Sequence, residues 1–365
     1  MISQQGEVLS SRTRRQFIST TSVGIGLGAE AAVSSMPTER AKSLMTLFGL
    51  KYPIFEAPHG NTTSPELAIA ISNAGAMGAL GLTGGTADEA RAAVSKVRSS
   101  TKSAFFINYI LTLSAGKEPA SLRPALDAGA PIVQFSWGFP SKAIIAAIRQ
   151  AGAKLGIQVT SAESARAALD AGADYLVCQG TEAGGHVQAS RVLYEALPIV
   201  LREANGKPVV ASGGVGNGAG IRKALLAGAS AAMLGTRFVA TVESKAHQDY
   251  KEALLAAHAH DTALTICFQD GWPALHRVLR NRTFIMWESA GCPKPGLRPG
   301  EGELVTTRVS GEKVLRYSAY PPDRDFHGNA REMALMAGLG VEYVKDLPSA
   351  GELVQRLWRE CETTK

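Results

Sequence analysis

The chain has 365 residues, 45% hydrophobic and 19% charged, which is enough apolar material for a sizeable core and unlike the composition of a disordered chain. Its formal net charge of +6 comes from Lys and Arg scattered mostly singly, with no basic run interleaved with aromatics, which argues against a nucleic-acid partner. The four cysteines, Cys178, Cys267, Cys292 and Cys361, show neither metal-ligand spacing nor a dense disulfide pattern; no metal site is expected.

Residues 1–36 read as a leader. A basic patch (Arg12, Arg14, Arg15) precedes a weakly apolar Gly/Ala/Ser/Thr-rich stretch and the small-residue sequence Ala29-Glu30-Ala31, the order of a secretory signal. The run from Ser11 to Ile18 resembles a twin-arginine export signal, which implies a periplasmic destination. The apolar part is too short and too rich in Gly and Ser for a membrane span, so no stable membrane insertion is expected.

From residue 50 the chain alternates short apolar runs with amphipathic segments, the rhythm of βα units on a parallel sheet. The expected strands are Tyr52 to Ala57, Met77 to Leu82, Ala104 to Ile110, Pro131 to Ser136, Ala153 to Thr160, Asp174 to Gln179, Lys207 to Ser212 and Ala231 to Gly235. Several are apolar throughout, as strands covered on both faces are. Between them a recurrent Ala-Gly-Ala ends the helices (at Gly75, Gly129, Gly152, Gly172 and Gly228), and Ser64, Thr86 and Ser161 are placed to cap helix starts. Eight strands over about 190 residues fit an α/β fold of the (β/α)8 TIM-barrel type better than a doubly wound sheet. The barrel is expected over residues 45–240, a smaller α/β cap or insertion lobe over 241–330, and a C-terminal helical segment packing on the barrel over 331–365.

In such barrels the active site lies at the C-terminal ends of the strands, and loops after the seventh and eighth strands commonly hold phosphate. Here those loops are Gly213-Gly214-Val215-Gly216 and Gly235-Thr236-Arg237, where glycine lets backbone N–H groups approach a phosphate. Arg237 either adds charge there or faces a carboxylate elsewhere. The sixth strand runs into Gln179-Gly180-Thr181-Glu182-Ala183-Gly184-Gly185-His186. A histidine at that face is placed either for proton transfer or for a structural hydrogen bond. His247, His258, His260, His276 and His327 fall outside the barrel and read as surface or packing residues.

With these residues in view, the chain from about Leu47 onward resembles the nitronate monooxygenase family. The likeness rests on Tyr52-Pro53-Ile54 with Ala57-Pro58, Pro65-Glu66-Leu67-Ala68 with Ser72-Asn73-Ala74-Gly75, Glu182 to His186, Gly213-Gly214-Val215 and Leu234-Gly235-Thr236. The resemblance implies noncovalent FMN, with Ala57, Pro58, His59, Asn108, Gln179, Gly184, Gly185, Gly213, Gly214, Met233, Leu234, Gly235 and Thr236 at cofactor-contacting positions and His186 at the catalytic one. It also implies a small-molecule nitronate or nitroalkane substrate oxidised with O2 to a carbonyl compound and nitrite. His59 departs from the family, which usually has Met there; its side chain either reaches the flavin or turns outward. FMN-dependent, NAD(P)H-linked enoyl and quinone reductases share a similar barrel and Gly-Gly-His loop and form the alternative.

Overall fold

The computed structural model describes residues 36–364; apart from Met36, the leader and its arginine pair lie outside the described residues. The barrel strands are β1 (Ile54–Glu56), β2 (Gly78–Gly81), β3 (Phe105–Ile110), β4 (Ile132–Ser136), β5 (Lys154–Val159), β6 (Tyr175–Gln179), β8 (Val209–Ser212) and β9 (Ala231–Leu234), with β7 (Gly185–His186) interposed outside the barrel. All pair in parallel in the order β1-β9-β8-β6-β5-β4-β3-β2. The ring closes where Phe55 bridges Met77, with Glu56 N–H donating to Met77 O (2.8 Å) and Met77 N–H to Ile54 O (2.9 Å). The expected eight-stranded barrel is therefore the observed one, with strands somewhat shorter than the apolar runs.

Strand alternation explains why those runs are apolar at every position. Inward side chains (Phe55, Met77, Ala79, Phe106, Ile132, Tyr175, Val177, Val210, Ala231, Met233) fill the barrel, and Leu44, Phe48 and Leu50 pack against them from the segment preceding β1. Their neighbours (Ile54, Leu80, Ile107, Val133, Leu155, Leu176, Cys178, Ala211, Leu234) point outward into the layer under the helices. The helices begin where caps were expected: Ser64 Oγ accepts from Leu67 N–H (3.0 Å), and Thr86 and Glu89 form a reciprocal capping box. All five glycines of the Ala-Gly-Ala stops have positive φ, the left-handed turn that ends each helix.

Beyond the barrel, β10 (Thr262–Thr265) and β11 (His276–Leu279) form an antiparallel hairpin whose second strand pairs with β7. A second small sheet joins β12 (Leu304–Arg308) to β13 (Lys313–Leu315) and β14 (Phe326–Gly328). Of residues 331–364, only Ala350–Thr363 is α-helical; two 3-10 turns and extended backbone precede it. That helix buries Leu353, Val354, Leu357, Trp358 and Cys361 in the same layer as the barrel helices, and Glu360 Oε2 accepts from Gly218 N–H (2.9 Å). Each such buried apolar side chain stabilises by roughly 1.5–3 kcal/mol as an upper figure. No helix among the described residues is long and apolar enough to cross a membrane.

Candidate active site

The barrel filling changes character toward the C-terminal ends of its strands. Below lie aromatic and aliphatic side chains; above them Asn108, Gln134, Ser136, Gln179 and Ser212 form a buried polar layer. Buried amides must be paired, and these are: Tyr175 O–H donates to Gln134 Oε1 (3.0 Å), and Gln134 Nε2 donates to Asn108 Oδ1 (3.2 Å). Gly156 leaves the space that the Tyr175 ring occupies, since a Cβ there would run into the phenol. Asn108 is thus fixed from below with its amide at the mouth.

Gln179, last residue of β6, orients His186. Its Nε2 donates to His186 O (3.3 Å) and its Oε1 accepts from Gln188 N–H (2.8 Å). On the other side β7 pairs with β11, placing His186 opposite His276, and Arg277 donates twice to Thr181 O (3.1 and 2.9 Å). The His186 ring stacks on Trp272, with centroids 3.7 Å apart and planes at 26°, and His276 lies edge-on at 5.6 Å. Its Nε2 is buried without a hydrogen-bond partner. Burial, with the neighbouring His276, lowers its pKa to about 3, so the ring is neutral at neutral pH. His276, fully buried, is a packing residue against this histidine and not a surface one.

The two glycine loops lie side by side because Ser212 is in register with Met233. Gly213 (φ +128°) and Gly214 (φ +70°) adopt conformations that an L side chain resists, and a Cβ on Gly214 would meet Glu182 Cβ at 3.0 Å. Among the described residues the N–H groups of Gly213, Gly214, Gly235 and Thr236 donate to no acceptor. Unpaired amides at two adjacent strand ends are the donor set that a phosphate group takes, so the residues present fit a phosphate-bearing cofactor. Arg237 is not part of that set: its guanidinium is buried, donates to Ala240 O (3.1 Å) and pairs with Asp346 Oδ1 (2.5 Å). Met233 points into the barrel, whereas Leu234 turns its side chain outward and its carbonyl accepts from Ala57 N–H (2.9 Å).

Ala57, Pro58 and His59 follow β1, beside β9. His59 is turned inward, with its side chain 7% exposed, and Nε2 lies 3.1 Å from Gly235 O. A carbonyl only accepts, so that nitrogen carries the proton, and Nδ1 is left buried and unpartnered, 3.5 Å from Glu56 Oε1. Glu56 is itself fully buried and its carboxyl accepts from Ala79 N–H (2.8 Å); burial raises its pKa, against the lowering effect of His59.

Three contributors escaped sequence reasoning. Residues 337–340 seal the mouth from the C-terminal region: Gly338 N–H donates to Thr236 Oγ1 (3.0 Å) and Leu339 N–H to Glu182 O (3.0 Å). Gly184 faces this segment, where a Cβ would strike the Ala337–Gly338 backbone, so its smallness serves close packing. The Gly338-Leu339-Gly340 pair of glycines was the available signal. Trp137 and Trp272 carried none, since their meeting depends on tertiary structure. Glu56 read as an ordinary strand residue.

The nitronate monooxygenase family model matches residues 41–125 and 119–360. A nitronate monooxygenase from Pseudomonas aeruginosa is 32% identical over 361 residues, covering 86% of this chain and 97% of the relative. Among solved structures, nitroalkane oxidase from Streptomyces ansochromogenes is similar with a TM-score of 0.69 at 31% identity, covering 87% of this chain and 97% of that one. FabK from Thermotoga maritima is similar with a TM-score of 0.71 at 26% identity, over 87% and 95%. A family match over most of the chain, with relatives of this identity and coverage, makes this chain an oxidoreductase that belongs to the nitronate monooxygenase family.

Proposed function

We propose that the enzyme oxidises nitronates, and nitroalkanes after loss of their α-proton, with FMN as cofactor and O2 as electron acceptor, releasing a carbonyl compound and nitrite. The observation that carries this reading is the buried, unpartnered Nε2 of His186 at a mouth flanked by unpaired backbone N–H groups. When bound, FMN supplies the electron transfer between substrate and O2.

The N–H groups of Gly213, Gly214, Gly235 and Thr236 would hold the cofactor phosphate, and Asn108, Gln179 and Met233, with Ala57, Pro58, His59, Gly184, Gly185 and Leu234 around the mouth, would hold the rest of the cofactor. His186 works from the neutral state that burial gives it. Through its Nε2 lone pair it takes the α-proton of a nitroalkane, and in the other tautomer it donates to a nitronate oxygen. An anion arriving at Nε2 favours the protonated ring and so draws the depressed pKa upward toward a useful range. Trp272 and the β7–β11 pairing hold the imidazole in place for either role.

Anaerobic mixing of the FMN-loaded protein with alkyl nitronates or with NADH, followed by flavin absorbance, tests the reading. Bleaching by nitronates is expected. Bleaching by NADH alone sinks the proposal in favour of an NAD(P)H-linked enoyl or quinone reductase. His186→Asn should slow reduction by nitroalkane by about 100-fold or more while FMN stays bound, the scale on which a positioned base acts; an unchanged rate removes His186 from the chemistry.

A further inference from the structure

The loops around His186 carry more aromatic surface than a base needs. Trp137, immediately after β4, sits at φ +57°, a left-handed conformation that a bulky residue keeps only when its surroundings impose it. Two bonds impose it: its N–H donates to Gln188 Oε1 (3.2 Å), and its carbonyl accepts from Thr112 N–H (3.1 Å). The strained turn brings the indole edge-on to Trp272, with centroids 5.1 Å apart and planes at 68°, while Trp272 lies flat on His186. These rings arrive from the β4 loop, the loop between β10 and β11, and β7, so their meeting is a product of the tertiary fold.

The segments that flank Trp137 also expose apolar side chains. Leu113 (48% exposed) belongs to the 3-10 turn Leu111–Ser114, tied to Trp137 through Thr112, and Phe139 (45%) follows Trp137 by two residues. The guanidinium of Arg277 is directed to Thr181 O and the Thr262 hydroxyl (3.2 Å), away from the alternate face of β11 that carries His276. Exposed hydrophobic groups gathered at a site mark what binds there.

We infer that the substrate carries its reacting anionic group on a flat apolar body, an aryl or conjugated nitronate, and that Trp137 and Trp272 are the residues that select it. The inference rests on the nitronate reading. A ring edge or face against an indole gains affinity beyond area burial alone, whereas a short alkyl or carboxylate-bearing nitronate gains nothing from these walls.

Two measurements separate this inference from the reading beneath it. Benzoate and acetate are planar anions shaped like a nitronate head, and neither can be oxidised. Titrated into FMN-loaded protein and followed by flavin absorbance, benzoate should bind at least about tenfold tighter, equivalent to about 1.4 kcal/mol. Trp137→Ala and Trp272→Ala should each bring the two within about threefold. Equal binding in the unsubstituted protein, or a preference that survives both substitutions, overturns the inference. In the anaerobic assay, phenylnitromethane nitronate should reduce the flavin with a higher efficiency than ethylnitronate or propionate 3-nitronate. A preference for either of the latter overturns the inference and leaves the nitronate reading intact. Tight benzoate binding with no bleaching by any nitronate refutes the function and supports the site's selectivity for flat apolar anions.

Discussion

His276 has both ring nitrogens committed. Nδ1 lies 2.9 Å from Ala274 O, and Nε2 accepts from Phe268 N–H (3.1 Å), so the protonated ring would have to break the second bond inside a fully buried site. Burial lowers its pKa, as it does that of His186 beside it. The sign of the consequence is fixed. Above pH about 6.5 both rings are neutral folded or unfolded and contribute no pH dependence; below it the unfolded chain takes up protons that the folded chain refuses. Stability should fall as pH drops from about 6.5, each histidine adding up to about 1.4 kcal/mol per pH unit. Urea unfolding between pH 7.5 and 4.5 should show a shallower pH slope for His276→Gln than for the unsubstituted protein. Identical slopes would mean that the ring already titrates freely in the fold. The sequence marks His186 through the glycines before it, but it cannot mark His276 or Trp272, whose relevance exists only once β11 is laid against β7.

At the scale of the element, the seam between β1 and β2 is the weakest join of the barrel and the one where side chains replace ladder bonds. Main-chain pairing covers only Ile54 to Glu56 against Met77. Above that point the Glu56 carboxyl takes Ala79 N–H, and Thr63 O–H donates to Ala79 O (3.0 Å). Glu56→Ala should cost about 1–3 kcal/mol in urea unfolding, because a buried N–H loses its acceptor. Glu56→Gln keeps an oxygen in the same place and should cost clearly less; a Gln variant as unstable as the Ala one would show that the charge, and not the acceptor, closes the seam. The barrel strands themselves were legible because burial on both faces makes them apolar runs bounded by helix stops. The two-residue β7 was not: Gly185-His186 has no strand propensity, and β11 alone makes it a strand. The acceptor role of Glu56 was equally hidden, since a carboxylate at a strand end usually meets water.

At the scale of the described molecule, distant chain closes over the glycine loops. Residues 337–340 bond to Thr236 and Glu182, Asp346 joins Arg237 to Arg356, and the helix Ala350–Thr363 lies against the helices Pro65–Asn73 and Gly218–Leu226. The proposed phosphate cradle therefore packs against C-terminal residues, and we propose that its cofactor is taken up by a finished fold. A protein exported with such a cofactor already bound would need a route that carries folded protein, and the Arg14-Arg15 pair in a leader of secretory order has the form of the address that such a route reads. We propose that residues 1–36 direct export to the periplasm with the cofactor already bound. The two lysine substitutions Arg14→Lys and Arg15→Lys, made together, preserve charge and alter only the guanidinium pair. Cell fractionation should then find the flavin-loaded protein retained in the cytoplasm, with its leader uncleaved. Equal periplasmic yield from the substituted and unsubstituted chains would refute the twin-arginine route, and periplasmic protein arriving without flavin would refute loading before export.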